Sequence, residues 1–355
     1  MHFNWDRISG KAITSLAVLG LSTALYAAPD KQQVKQQVGC KPDNFAFAYP
    51  KDLNLCHPLD FYTSIEGLIF QGMETGTSFT MVDKVASTPI LDATVGGFSG
   101  DDSSWDYNPG MRLALGVYVN CDAWALDFSW LWLNMTNHAN FSGSGTGTAI
   151  PLWLPDAGTT FTSNASAGGN LQCTMNVLDA ALGKPYHVSR KVILKPHFGL
   201  RFAWIDQHLD LDYGGTTRMF VDTTNDFFGV GARVGVDSDW ILGKGFKLYS
   251  NLSSSVLAGG FNLIEYIPGV NVTLKDDFQM VVPNLELALG LDWGCYLNQN
   301  KYYLDFRFGY EFQVWWDQWN MRQFLTGVTD GNFINVRTPG NLTLNGFTLK
   351  IQLDM

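Results

Sequence analysis

Residues 301–316 read KYYLDFRFGYEFQVWW. The even positions are Tyr302, Leu304, Phe306, Phe308, Tyr310, Phe312, Val314 and Trp316, and the odd ones include Lys301, Asp305, Arg307, Gly309, Glu311 and Gln313. A period of two puts successive side chains on opposite faces of an extended strand, so one face is greasy and the other ionic. Length separates the two uses of such a strand. A soluble strand runs to about five or six residues, whereas a tilted strand that crosses a bilayer needs about nine to eleven. Tyr302 and Phe312 stand about 33 Å apart along the strand and about 25 Å apart once tilt is included, which is the height of a lipid-facing band with aromatic residues at both rims.

The pattern recurs along the chain. In 191–204, Val192, Leu194, Pro196, Phe198, Leu200, Phe202 and Trp204 oppose Lys191, Lys195, His197, Gly199 and Arg201. In 281–293, Val281, Pro283, Leu285, Leu287, Leu289, Leu291 and Trp293 oppose Asn284, Glu286, Ala288, Gly290 and Asp292. Further copies lie at 111–120, 124–134, 228–237, 246–258 and 347–355, with weaker ones at 61–71 and 176–182. The connections alternate without a break: long (73–105), short (120–122), long (135–172), short (183–190), longer (206–225), short (239–244), long (259–277), short (295–300), long (317–342). Alternating connections of this kind predict an all-β, transmembrane, antiparallel up-and-down barrel with short periplasmic turns and long extracellular loops. Ten strands are visible. A further hairpin, TSFTMV and PILDATV in 73–96, extends the range to ten to fourteen, with twelve preferred.

Composition agrees. The chain is 46% hydrophobic and 16% charged, yet no run of about 18 apolar residues follows residue 30, which excludes a helical membrane protein. Arg7 and Lys11, the apolar run 12–25 and the small residues Ala27 and Ala28 form a secretory signal over 1–28. Residues 29–60 form a periplasmic arm or plug, and 61–355 the barrel. Removing 1–28 takes away only Asp6, Arg7 and Lys11 among the charged residues, so the remainder stays net acidic, which disfavours nucleic acid as a partner. Of the five cysteines, Cys40 and Cys56 fall in the arm and Cys121 and Cys295 in short turns on the same side. An oxidising periplasm permits a Cys40–Cys56 bridge and leaves the turn cysteines for neighbouring molecules.

The stretches NPGMRLALGVY (108–118), WALDFSWLWLN (124–134), VSRKVILKPHFGLRFAWIDQ (188–207), DFFGVGARVGVDSDWILGKGF (226–246) and FRFGYEFQVWW (306–316) resemble the Legionella-type major outer membrane protein family. That family forms pores and also occurs in environmental relatives of the chlamydiae. The resemblance implies a bacterial outer-membrane porin, abundant and cross-linked through cysteines as in chlamydial envelopes, and it supplies no catalytic residue. Such barrels usually end in an aromatic residue, whereas this chain ends Phe347, Leu349, Ile351, Leu353, Met355 on the apolar parity.

The expected function is passive diffusion of small hydrophilic solutes and ions through a water-filled pore in the outer membrane. A structural or adhesin-type barrel with a plugged lumen is the alternative, and an outer-membrane hydrolase a distant third. The pore-lining residues expected from the polar parity are Lys191, Lys195, His197, Arg201, Arg233, Glu286, Asp292, Asp305, Arg307 and Glu311. The basic and acidic sets are expected to face each other across the lumen, the other arrangement being direct pairs that seal it. The aromatic girdle is expected at Trp124, Trp130, Trp132, Trp204, Trp293, Tyr302, Phe312 and Trp316. Leu200 and Leu287 are read as lipid-facing, with arginine better tolerated at Gly199 and Ala288. Partners are outer-membrane lipid, small solutes, and a homo-oligomer or disulfide-linked envelope neighbours. No GxSxG, HExxH or phosphate-loop spacing occurs, and no metal or cofactor is expected. His208 beside Asp206, Asp210 and Asp212 is read as a solvated charged rim rather than a proteolytic or cation-binding cluster.

Overall fold

The ten period-two runs fold into ten long strands: β1 (Leu59–Glu74), β2 (Tyr107–Val119), β3 (Trp124–Ser142), β4 (Ser166–Gly183), β5 (Val192–Gly214), β6 (Met219–Gly243), β7 (Phe246–Ile267), β8 (Val272–Leu297), β9 (Tyr302–Trp319) and β10 (Gly340–Asp354). The computed structural model describes residues 59–83, 93–98, 103–104, 106–119, 124–142, 148–154, 166–214, 218–267, 272–298, 301–325 and 334–355. All lie within the unit Asp43–Met355. The expected signal and nearly all of the arm, with Cys40, Cys56 and Cys121, fall outside the described residues.

Each strand pairs antiparallel with the next, and β10 pairs back onto β1. The sheet closes on itself, so backbone donors and acceptors are satisfied around the wall, as hydrocarbon requires. The short strand Tyr186–Ser189 folds back onto the start of β5. The preferred count of twelve is not what closes the barrel. The hairpin read within 73–96 does form, as Ser78–Asp83 with Ala93–Gly97, but it lies off the wall in a separate three-stranded sheet with Thr148–Pro151. Gly76 adopts φ +81 just after β1, a conformation open to glycine, and there the chain leaves the wall. β1 then pairs directly with β2, from Leu59↔Val119 to Gln71↔Tyr107.

Two expected external loops are strand instead. β5 runs to Gly214 and β6 starts at Met219, leaving four residues where 206–225 was expected to be loop; β7 ends at Ile267 and β8 starts at Val272. The cause is an inversion of polarity along the strands. In the half nearer the short turns, Phe198 and Leu200 of β5 point outward and stand more than half exposed, while His197 and Arg201 point inward and are buried. Further along the same strand, His208, Asp210 and Asp212 face outward, and Leu209, Leu211 and Tyr213 are buried. β8 inverts likewise: Val281, Leu287, Leu289 and Leu291 are exposed, but beyond them Thr273, Lys275, Asp277 and Gln279 occupy the outward parity.

The change of sign follows one contour around this side of the wall. Asn134, Thr174, Asp206, Asp226 and Asn262 are register partners in sequence across β3 to β7. On one side of that line the exterior is apolar, as lipid demands. On the other it is mainly polar, with Phe220 and Tyr266 exposed among polar neighbours, and the strands project beyond the band.

Candidate functional site

The bore is filled in layers, from the cap through polar and apolar sets to a polar chamber. Nearest the long-loop end, Phe79, Phe98, Trp153, Leu154, Trp319 and Met321 pack against the inward Leu209, Leu211, Tyr213, Val221, Leu263 and Ile267. The small sheet is thereby held as a cap. Trp153 Nε1 donates to the Ser78 carbonyl at 2.9 Å and the Tyr213 hydroxyl to the Phe79 carbonyl at 2.7 Å. In the projecting part of the bore, above the apolar band, Glu74 accepts from Gln207 at 2.6 Å and Asn225 donates to Gln207 at 2.7 Å. Burial pushes the Glu74 and Glu265 carboxyls up to about 8. Next comes an apolar layer that includes Leu68, Phe70, Leu133, Met175, Ile205, Phe227, Phe261, Val282, Trp315 and Leu344, all buried. Every strand except β2 contributes to it.

Toward the short turns lies a polar chamber of about 300 Å³. Arg201, 2% exposed, is its most buried cation. Its Nε and one Nη donate to both oxygens of Asp179 on β4, each at 2.7 Å, and its other Nη to Glu286 on β8 at 2.6 Å. Arg233 donates to the second Glu286 oxygen at 3.0 Å. Arg112 of β2 joins Glu66 (2.8 Å) to Glu311 (2.7 Å). Lys195 pairs with Asp127 at 2.5 Å, and His197 lies 3.7 Å from Asp237. Forked, charge-assisted contacts of this kind are the strong class of hydrogen bond, and here they tie opposite sides of the wall together.

Of the residues expected on the polar parity, Lys195, His197, Arg201, Arg233, Glu286, Asp305, Arg307 and Glu311 line the chamber. Asp292 also points inward, fully buried, with an oxygen 3.1 Å from Arg307 Nε. Lys191 does not: it occupies an exposed turn, just before the strand begins. The expected separation of a basic from an acidic wall is replaced by direct pairs, because Arg201 reaches its β4 neighbour and crosses to β8. Glu66, Arg112, Asp127, Asp179 and Lys350 also line the chamber and were not singled out from sequence. Each sits on the polar parity of a run that was recognised, so parity was the available signal.

The girdle residues Trp124, Trp130, Trp132, Trp204, Trp293, Tyr302, Phe312 and Trp316 all occupy outward parity, with Trp124, Trp293, Tyr302 and Phe312 exposed. Trp204 lies 5.2 Å from Phe228, ring to ring, just inside the contour. Leu200 and Leu287 face out as expected, and Ala288 faces in. Gly199 corrects its expectation: a Cβ there would run into the carbonyl oxygen of Ala180, so no side chain fits. Cys295 is a free thiol within β8, opposite Leu304, rather than in a turn. Cys173 is free and buried in the apolar layer. Outside the wall, His208, Asp210 and Asp222 place potential ligand atoms within 4.8 Å of one another.

The sequence model of the family described as Legionella pneumophila major outer membrane protein precursor matches residues 56–355. No curated protein matches the chain. Among solved structures, the chain is similar to the outer membrane protease OmpT from Escherichia coli, with 10% identity, 84% of this chain and 96% of that one covered, and a TM-score of 0.45. It is also similar to the Pseudomonas putida toluene transporter TodX, with 10% identity, 84% and 88% covered, and a TM-score of 0.27.

Proposed function

Because the chain belongs to the Legionella major outer membrane protein family, we propose that it works as an outer-membrane barrel with a sealed bore, a structural element of the envelope that carries a folded cap at its long-loop end. The observation behind this reading is the apolar layer, to which nine strands contribute buried side chains across the bore. A hydrated ion entering it would lose its water without gaining a partner, which is costly for any charge. The ion pairs beneath reinforce the seal by holding strands on opposite sides at fixed separation. Purified protein in a planar bilayer tests it. The sealed barrel gives no conductance steps above the lipid background, and regular steps would overturn it.

A second reading, a diffusion pore for small hydrophilic solutes, is favoured by the polar chamber of about 300 Å³, lined by charges of both signs. It requires the apolar layer to part. On that reading steps appear in the wild type, and Arg201→Gln with Lys195→Gln shifts the reversal potential toward cations.

A further inference from the structure

The inward charges of the chamber lie in one register row. Lys247 opposes Asp292, Asp292 opposes Arg307, Arg307 opposes Lys350, Lys350 opposes Glu66, and Glu66 opposes Arg112. The alternation of sign fails once, at Arg307 and Lys350. Like charges directly opposite on neighbouring strands repel, and this is the one place in the row where two cations adjoin. Arg307 meets Asp292 and Asp305 through Nε alone, at 3.1 Å each. Its two Nη groups enter no hydrogen bond or ion pair among the described residues, and neither does Lys350 Nζ. Both side chains line the chamber.

We propose that Arg307 and Lys350 form a binding site in the lumen for a small oxyanion, a phosphate or a carboxylate. The planar fork of an arginine matches two oxygens of such a group, and a lysine supplies a point charge from the adjoining strand. The anion would lie between the two adjoining cations and relieve their repulsion. The Arg307 guanidinium also lies 5.4 Å from the centre of the Tyr249 ring, a cation–π contact on the chamber wall. The site does not depend on whether the bore conducts, since the chamber itself holds the ligand.

Isothermal titration of the full chain in detergent, with inorganic phosphate and with acetate separately at constant ionic strength, tests the proposal. Saturable one-site binding of either is expected, and the one that binds identifies the source. Arg307→Gln and Lys350→Gln each weaken it about ten-fold or more, whereas Lys350→Arg and the turn variant Lys191→Gln leave it within about three-fold. No saturable heat with either anion, or equal affinity in all variants, overturns it. Should the glutamine variants lose their sheet signal in circular dichroism, acetylation of the wild type decides. The bound anion slows modification of Lys350 several-fold against chloride and leaves Lys191 unchanged. Equal rates at Lys350 sink the site.

Discussion

The two halves of this barrel share the same strands and bury opposite chemistry. Between the short turns and the contour through Thr174, Asp206 and Asp226, β5 exposes Phe198 and Leu200 and buries Arg201; beyond it, the strand exposes Asp210 and buries Leu209 and Leu211. Inside and outside are therefore not fixed by strand identity. They follow from what lies on each side. Lipid outside and water inside favour one sign of the alternation, and water outside with an apolar cap inside favours the other. The lower half is held from within by charge near the short turns and by the apolar layer near the contour, the upper half by packing of the cap.

Breaking each kind of interior tests that division. Arg201→Ala removes the cation that joins Asp179 to Glu286 and leaves two buried carboxylates short of a partner, so a loss of about 3 to 5 kcal/mol is expected from urea unfolding in micelles. Leu263→Ala acts in the upper half, where Leu263 is fully buried in the cap cluster. The loss there is about 2 to 5 kcal/mol, from the lost transfer energy and the cavity. If Arg201→Ala costs under 1 kcal/mol, the chamber is solvated space and the division fails.

The outward face provides a comparison at one parity and two levels. Leu200→Arg places a charge in the apolar band and should cost about 2 to 4 kcal/mol in refolding titrations into lipid vesicles. Gln172→Arg, on the exposed outward face of β4 beyond the contour, should change stability by no more than about 0.5 kcal/mol. Equal costs would move the membrane boundary and undo the reading of the contour.

These contrasts also explain what the sequence disclosed. The ten strands were legible because alternation of apolar and polar residues persists for twelve residues or more in several runs. The strand ends were not. At 206–214 the even positions turn from Trp204 to Asp206, His208 and Asp210, which resembles the start of a loop, although Leu209, Leu211 and Tyr213 keep the period on the other parity. Following the period rather than the polarity would have carried β5 to Gly214. The inward direction of Arg201 and Glu286 was legible for the same reason as the strands. Their direct contact was not, because it depends on the register and separation of β5 and β8, which local pattern does not encode. Nor was the cap, since Ser78–Asp83 reads as a short strand of the wall until the glycine turn at Gly76 takes it off.

The smallest expected effect has the opposite sign. Asp206 and Asp226 stand directly opposite each other on β5 and β6, on the outward face beyond the apolar band, immediately past the Trp204–Phe228 pair. Partial desolvation first, and then the charge of Asp226, push the Asp206 carboxyl up to about 6, although the residue remains exposed. An acid whose folded value is raised favours folding fully at pH below its usual range and loses that contribution as pH rises through the folded value. The wild type should therefore lose stability between about pH 4 and pH 6 from this pair. Asp226→Asn removes the repulsion and keeps the size of the side chain. It should be more stable than the wild type by about 0.2 to 1 kcal/mol at pH 8, the range for a cross-strand pair. The advantage should shrink toward zero near pH 4, where Asp206 is protonated in the wild type and the repulsion is gone, and it should also fall in high salt, which screens exposed charges. Urea titrations of both proteins at pH 4 and pH 8 measure it, and an advantage of the same size at both pH values would mean that the gain comes from packing and not from the opposed charges.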